Sequence, residues 1–320
     1  MNILITSAGS RNKLVQYFKK ELKNNGRVIA TDMSNLAPAL YDADKFYLVP
    51  RIDHEDYIDT LLTICKKEKI DCIFALIDPE LSLIAKNKNK FLEIGVKPLI
   101  SNYNAVELAF NKYEMYKYLT GKNIKTPKTY ISKEEFYNDL KKSIITFPVF
   151  VKPITGSASI NISKVNSIEE IELLFSLYDD LIIQEYMDGQ EIGADVYIDP
   201  ISKKVVSIFA KEKIKMRAGE TDKSRSFKDD KLFNLITTVV EEIGYEYMID
   251  MDIFKINDDY YISEINPRFG GGYPHAYEAG VNFPKLIINS MNGVENTVEI
   301  GNYEEEIYMM KYNEVKIIKK

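Results

Sequence analysis

Short apolar runs alternate with amphipathic stretches through the first hundred residues. Residues 3–6, 28–32 and 72–77 are apolar runs of strand length. Residues 12–24 and 57–69, between them, carry apolar side chains at helical spacing. Strand, helix, strand at this spacing predicts a parallel αβ sheet. Ser7 to Arg11 closes the first strand and leads into a helix whose first N–H groups could face an anion. Of a dinucleotide-type glycine pattern only Gly9 is present, so a nucleotide is not expected in this half. Asp32 and Asp78-Pro79-Glu80 stand at strand ends, where open αβ sheets bind ligands. Asp78 and Glu80 either face a substrate or open a helix, where the dipole favours acids.

The pattern changes after a helix predicted at 104–120 and a linking segment at 124–130. Residues 147–153 form an apolar strand whose single charge is Lys152, near its end. Thr155-Gly156-Ser157-Ala158-Ser159 is a loop of small residues, and a second strand begins at 160–164. Such a loop can turn backbone N–H groups toward oxygens, as a lid over phosphates requires. Strands at 181–186 and 191–197 flank Met187-Asp188-Gly189-Gln190. Residues 211–224 are highly polar and predict a loop carrying Arg217 and Gly219, ahead of a helix at 230–243. Alternation at 307–312 predicts a last strand that finishes a sheet.

Residues 248–274 combine strand alternation with candidate chemistry. Strands at 250–256 and 260–265 are joined by Asn257-Asp258-Asp259 as turn residues. A hairpin centred on Asp258 places Asp252 across from Glu264, with Asn266 on the same face. Opposed carboxylates repel unless a positive charge lies between them. Their oxygens, with the Asn266 amide, suit Mg²⁺, a hard cation that shares oxygen ligands with phosphates. Arg268 follows with a planar fork for a phosphate or carboxylate. Gly270-Gly271-Gly272 then lets the backbone approach a ligand. The pairing is sensitive to register, because one residue more or less in the turn moves every side chain to the other face.

Composition narrows the class. A chain of 320 residues with 45% apolar and 28% charged residues is that of a soluble globular protein of two or three domains. A net charge of −6 gives no sign of a nucleic-acid or membrane partner. MNILITSAG reads as a first strand rather than a signal peptide, and the expected compartment is the cytoplasm. Cys65 and Cys72 read as buried free thiols. His54 has no supporting context.

SEINPRFGGGYP, with Asp252 upstream, resembles the metal-binding strand pair of ATP-grasp enzymes. The likeness is nearest to a single synthetase module of the carbamoyl phosphate synthase large subunit. It implies an α/β architecture, α+β in its C-terminal part. A parallel-sheet pre-ATP-grasp domain at 1–103 would precede a linker helix and lid subdomain at 104–187. A C-terminal antiparallel-sheet subdomain with the metal site would occupy 188–320. Lys112, Lys152, Gly156 and Ser157 are then expected at the phosphates. QEYMDGQE is similar to the family's hinge, which implies Glu185, Tyr186 and Met187 at the adenine and Glu191 at the ribose. Asp252, Glu264 and Asn266 would hold Mg²⁺, with Mn²⁺ able to substitute. Arg217 and Arg268 would steady the transferred phosphoryl group or an acceptor carboxylate. The 211–224 region is longer than the glycine-acid-serine loop of those modules.

The four ATP-directed elements occur in the family's order between residues 112 and 268. The resemblance therefore implies ATP-dependent activation of a small carboxylate, an amino acid being reasonable, as an acyl phosphate. An amine, or less often a thiol, would then displace phosphate. His275 is either an acceptor contact or a packing residue. Two alternatives stay open: a module that phosphorylates bicarbonate or carbamate with a partner chain, and a non-catalytic nucleotide-binding subunit. The expected partners are a small carboxylate and an amine, with a homodimer also allowed.

Overall fold

The computed structural model describes residues 1–156 and 162–319. Its strands form three sheets. The first is parallel: β1 (Asn2–Thr6), β2 (Arg27–Asp32), β3 (Lys45–Leu48), β4 (Cys72–Ala75) and β5 (Lys97–Pro98), ordered β3-β2-β1-β4-β5. Helices α1 (Asn12–Leu22), α2 (Tyr57–Glu68), α3 (Asp78–Lys86) and α4 (Lys88–Glu93) lie between these strands in sequence. The predicted parallel αβ sheet is thus present, and the cysteines are free and buried as expected. β3 and the two-residue β5 are the strands that the pattern did not reveal. In β3 the reason is exposure. Its KFYL is largely exposed at the sheet edge, so it lacks the apolar run of a central strand.

The helix predicted at 104–120 is two helices, α5 (Tyr103–Phe110) and α6 (Lys112–Gly121). Asn111 breaks it: its backbone is extended, and its side-chain oxygen accepts from the N–H groups of Tyr113 and Glu114. This is an N-cap, and a short polar side chain competes well for it. The break makes Lys112 the first residue of α6.

A four-stranded antiparallel sheet follows, ordered β6-β9-β7-β8, from β6 (Thr129–Tyr130), β7 (Val149–Pro153), β8 (Ser163–Val165) and β9 (Leu181–Glu185). With α7 (Lys133–Lys141) and α8 (Ile168–Leu177) it encloses its own apolar core around Phe136, Val149, Val151, Ile171 and Ile183. Of the small-residue stretch expected as a loop, Thr155 and Gly156 follow β7, and Ser157, Ala158 and Ser159 fall outside the described residues.

The third sheet has six strands, ordered β14-β13-β10-β11-β12-β15. They are β10 (Gln190–Ile198), β11 (Val205–Arg217), β12 (Glu220–Phe227), β13 (Tyr247–Ile256), β14 (Asp259–Asn266) and β15 (Tyr308–Met310). β15 completes this sheet at its edge, as the alternation at 307–312 predicted. Helices α9 (Asp230–Ile243), α10 (Tyr273–Glu278) and α11 (Phe283–Met291) complete the fold. The helix predicted at 230–243 has those bounds. Asp229 caps its N-terminus, and Gly244, in the left-handed region that glycine adopts without strain, ends it.

One expectation is corrected here. Residues 211–224 are not a loop but the end of β11, a tight turn at Ala218-Gly219, and the start of β12. The run AKEKIKMR is polar because Lys211 and Lys213 are buried on the charged face of the sheet and the strand runs on into solvent from Ile214, not because the chain is irregular.

The central strands of this sheet are two-sided. Ile192, Ala194 and Val196 of β10 and Ile249, Met251 and Ile253 of β13 are buried in a core shared with Leu232, Ile236 and Val240 of α9. The same core continues into the parallel sheet. Phe18 of α1 packs edge-on against Phe269, and Tyr17 stacks on Tyr277 at a centroid separation of 3.7 Å. The opposite face of the six-stranded sheet carries the charged residues. No helix among the described residues is long and apolar enough to cross a membrane.

Candidate active site

The charged sheet face is laid out by strand register. In one row across the sheet, Lys211, Gly193, Asp252 and Glu264 are successive partners on β11, β10, β13 and β14. In the next, Asp195, Asp250 and Asn266 pair across β10, β13 and β14. Paired residues share a face, so acids and lysines converge on one surface. Gly193 makes this arrangement possible. A Cβ there would stand 3.0 Å from the Lys211 stem and 3.3 Å from that of Lys213, both of which pass over it.

Asp252 does face Glu264, but by a different route from a three-residue turn. The turn is Asn257-Asp258, with Ile256 paired to Asp259. Continued regularly, this register would put Ser263 opposite Asp252 and Glu264 on the core side. The pairing instead shifts between Ile253–Ile262 and Asp252–Glu264, leaving Ser263 as an extra residue. This β-bulge restores Glu264 and Asn266 to the charged face.

A cleft opens over this face, walled also by the parallel sheet and the β7–β8 strands. Lys112, Lys152, Gly156, Asp252, Glu264, Asn266 and Arg268 all line it, together with Arg11, Asp78, Lys213, Glu220 and Gly271. Lys112 reaches it from the start of α6. Its backbone N–H donates to Ile154, and its ammonium donates to the carbonyl of Gly156 at 2.7 Å and lies 3.9 Å from Glu264. Lys152 is buried, and burial pulls its pKa down to about 8, only partly countered by Glu264. Burial likewise raises the carboxyl pKa of Glu264, against the pull of Lys112 and Lys152.

Lys213 was missed by sequence reasoning. Its ammonium donates to Glu191 at 2.7 Å and Asp252 at 2.5 Å. Burial opposes its charge, yet Asp252 and Glu191 more than offset this and its pKa is raised. The signal was the alternation Lys211, Lys213, Lys215 next to Ile208 and Ala210, which is strand periodicity inside a stretch read as a loop.

Arg268 is held inside the protein. Its guanidinium donates to Asp250 at 3.1 Å and to Asp78 at 3.2 Å, and its side chain is mostly buried. Asp78, the first residue of α3, thereby ties the parallel sheet to the end of β14. Glu80 is fully buried and accepts from Ser7 at 2.6 Å and from Tyr57, so it braces the β1 loop rather than facing a substrate.

Other expected site residues lie elsewhere. Arg217 sits at the β11–β12 turn, about half exposed, and contacts Asp222 and Asn313; it is not among the residues lining the cleft. Glu185 accepts from the N–H of Lys128, and Met187 is buried between β9 and β10. Tyr186 packs against Phe150 and lies under the Lys164 ammonium, 3.7 Å from the ring centroid. These three stand beside the cleft rather than in its lining, and Glu191 joins it through Lys213. His275 is a packing residue: Nε2–H donates to the Ile307 carbonyl, and Nδ1 accepts from Ser224.

The glycine run is explained by crowding. A Cβ on Gly270 would overlap the Asp250 carboxylate. One on Gly271 would lie 2.6 Å from the Arg11 guanidinium, and one on Gly272 would lie 2.9 Å from the Lys211 stem. The loop is thus pressed against charged side chains that it holds in place.

The donor set fits a hard divalent cation. Two carboxylates and an amide oxygen share one face, ionisation of Glu264 is opposed by burial, and two lysines stand beside them.

Comparison with known proteins accords with this layout. Residues 109–272 match the ATP-grasp domain family, and residues 3–99 match the PylC-like N-terminal domain. A carbamoyl-phosphate synthase from Methanobrevibacter smithii is 24% identical over 312 residues, covering 92% of this chain and 82% of that protein. A tyramine–L-glutamate ligase from Methanocaldococcus fervens is 28% identical over 272 residues, covering 82% and 80%. Among solved structures, the biotin carboxylase domain of Hydrogenobacter thermophilus 2-oxoglutarate carboxylase, in complex with MgADP, ADP and bicarbonate, superposes with a TM-score of 0.77. It is 16% identical and covers 96% of this chain and 73% of that one, a likeness of fold.

Proposed function

The chain belongs to the ATP-grasp family, and on that premise we propose that it is an ATP- and Mg²⁺-dependent ligase joining a small carboxylate to an amine. The observation that carries this reading is the meeting, in one cleft, of Asp252, Glu264 and Asn266 with Lys112 and Lys152.

In this reading Lys112 and Lys152 bind phosphate oxygens, and Lys112 also donates to the Gly156 carbonyl. Glu185, Tyr186 and Met187 flank the adenine, and Glu191 accepts from the ribose hydroxyls. Asp252, Glu264 and Asn266 hold Mg²⁺, which supplies charge neutralisation at the phosphates when bound. Lys213 fixes Asp252 and Glu191 relative to each other, so nucleoside and metal sites are set by one side chain. A substrate carboxylate oxygen attacks the γ-phosphorus and ADP leaves. The amine nitrogen then attacks the acyl carbon, phosphate leaves, and the nitrogen loses its proton. The protein contributes position, charge and exclusion of water, and needs no covalent nucleophile. Arg268, engaged by Asp78 and Asp250, acts by holding the wall together rather than as a free cation.

A second reading is supported by the carbamoyl-phosphate synthase likeness, which spans 92% of this chain. Here bicarbonate or carbamate is the phosphoryl acceptor and a partner chain supplies ammonia.

The test is ADP release with Mg²⁺ and ATP against amino acids, simple carboxylates and bicarbonate, each with and without an amine. Glu264→Ala is the control. Release that needs an organic acid and an amine, and is lost in the variant, supports the ligase. Release with bicarbonate alone favours the second reading. ADP binding without turnover under any condition points to a nucleotide-binding subunit.

A further inference from the structure

The geometry points to Arg11 and Glu220 as the receptor for an amino-acid substrate, Arg11 taking the α-carboxylate and Glu220 the α-ammonium. This inference rests on the ligase reading and specifies its substrate class.

Arg11 comes from the loop after β1 and Glu220 from the first position of β12, and they meet across the cleft at 2.6 Å. Both line the cleft, with side chains 25% and 38% exposed. An ion pair this open adds little to stability, because water screens it. The protein nevertheless builds a support around it. Ser7, at a positive φ of 48°, donates to buried Glu80, and Gly9 N–H donates to Asp32 at 2.9 Å, which fixes the loop bearing Arg11. Lys311 takes the second oxygen of Glu220 at 2.8 Å. Gly271 lies against both partners, and a Cβ there would stand 2.6 Å from the guanidinium and 2.7 Å from the Glu220 carboxyl carbon.

The other cations of the cleft have tasks. Lys213 is held by Glu191 and Asp252, Arg268 by Asp78 and Asp250, and Lys112 by the Gly156 carbonyl. Lys152 stands at the phosphate end beside Glu264. Arg11 is left with guanidinium N–H groups beyond the one facing Glu220, and a carboxylate takes two of them in parallel. Among the acids lining the cleft, Glu220 stands apart from the strand row that carries the donor set. A zwitterion placed between the two replaces one ion pair by two, so neither charge is left without a partner. A carboxylic acid lacking the ammonium leaves Glu220 repelled by the incoming carboxylate. An amine lacking the carboxylate meets Arg11. A site that depends on a charged hydrogen bond rejects the analogue that lacks it.

The test separates binding from turnover. Calorimetry with Mg²⁺ and ADP present measures the binding of each of the twenty L-amino acids to the intact protein. The desamino and descarboxy analogues of any binder follow. The expected result is at least one amino acid that binds, with each analogue weaker by about tenfold or more. Glu220→Gln removes the preference for the ammonium and Arg11→Gln the preference for the carboxylate, while ADP affinity stays within about twofold. Arg11→Lys, which keeps the charge, retains part of the preference. No amino acid binding, or analogues that bind as well as the parent, overturns the inference whatever the ADP-release assay shows. Equal loss of parent and analogue binding in Glu220→Gln also overturns it, because that outcome marks a structural bridge. Amino-acid binding with these preferences but without ADP release would keep the receptor and reject the ligase.

Discussion

Lys213 joins Glu191 to Asp252, donating to the first at 2.7 Å and to the second at 2.5 Å from a position that is almost wholly buried. Without it, two carboxylates on neighbouring strands would face each other in the sheet. Lys213→Met should therefore destabilise the protein by about 3 kcal/mol, the scale for breaking a buried pair on one side. Adding Glu191→Gln should recover part of that loss. Urea unfolding of the two single variants and the double variant measures the coupling, and additive losses would contradict it.

Glu264 is costly to ionise where it lies, so its replacement should separate stability from function. Glu264→Gln is expected to raise the melting temperature of the nucleotide-free protein slightly, by the equivalent of less than about 1 kcal/mol. The added stability given by Mg²⁺ and ADP together should disappear. Thermal melts with and without both ligands check the two halves, and an undiminished shift in the variant would remove Glu264 from the metal site.

Lys152 carries the opposite cost. Burial holds its folded pKa at about 8, below the ordinary 10.5. Below pH 8 the charge is present at full cost. From pH 8 to 10.5 the unfolded chain holds a proton that the folded one has lost, so stability rises with pH there. Lys152→Met should raise nucleotide-free stability at pH 7 by about 3 kcal/mol, an advantage that fades as pH approaches 10.5. The same variant should weaken ADP binding by about tenfold or more. Denaturation at pH 7 and 9.5, with calorimetry of ADP, reads both effects.

His275 makes a pH signature at the acid end. Burial, and then the nearby Lys211 charge, lower its pKa to about 4 from an ordinary 6.5. Between those values the unfolded chain binds a proton that the folded one refuses. Stability is thus complete above pH 6.5 and falls toward pH 4, by roughly 2–3 kcal/mol in total. His275→Gln should flatten that part of the stability curve relative to wild type. Parallel curves would show that carboxylates elsewhere set the acid limit.

Gly270→Ala tests crowding at the glycine run. The new methyl would collide with the Asp250 carboxylate that receives Arg268. Strain there should cost about 1–3 kcal/mol and reduce any ADP release in proportion to the displaced wall. Gly280→Ala, with open space around its Cβ, is the comparison for an effect of backbone conformation alone, since its φ of 97° is strained for alanine.

Periodicity was enough to place most central elements, because apolar alternation reports which face of a strand or helix is buried. It located β1, β2 and β4, the β13–β14 pair and the ends of α9. The resemblance to ATP-grasp enzymes, not periodicity, singled out Lys112, and together with the hairpin register it pointed to Lys152, Asp252, Glu264, Asn266 and Arg268, all of which the fold brings to one cleft. Local pattern failed where a partner distant in sequence decides the outcome. Lys213 is a strand residue because β10 and β12 flank it, and its role depends on acids 22 and 39 positions away. Arg217 points to Asp222 and Asn313 because the strand continues to the turn beside it. Arg268 is engaged by Asp78 from 190 residues earlier, and His275 is turned inward onto Ser224 and Ile307. The face of Glu264 rested on a turn and a bulge whose one-residue shifts cancel, and only the paired strands reveal both. The sequence by itself determined which residues could bind phosphate and metal. The tertiary structure decided which of their charges are already satisfied, since Coulomb partners are chosen by distance in space and not by separation along the chain.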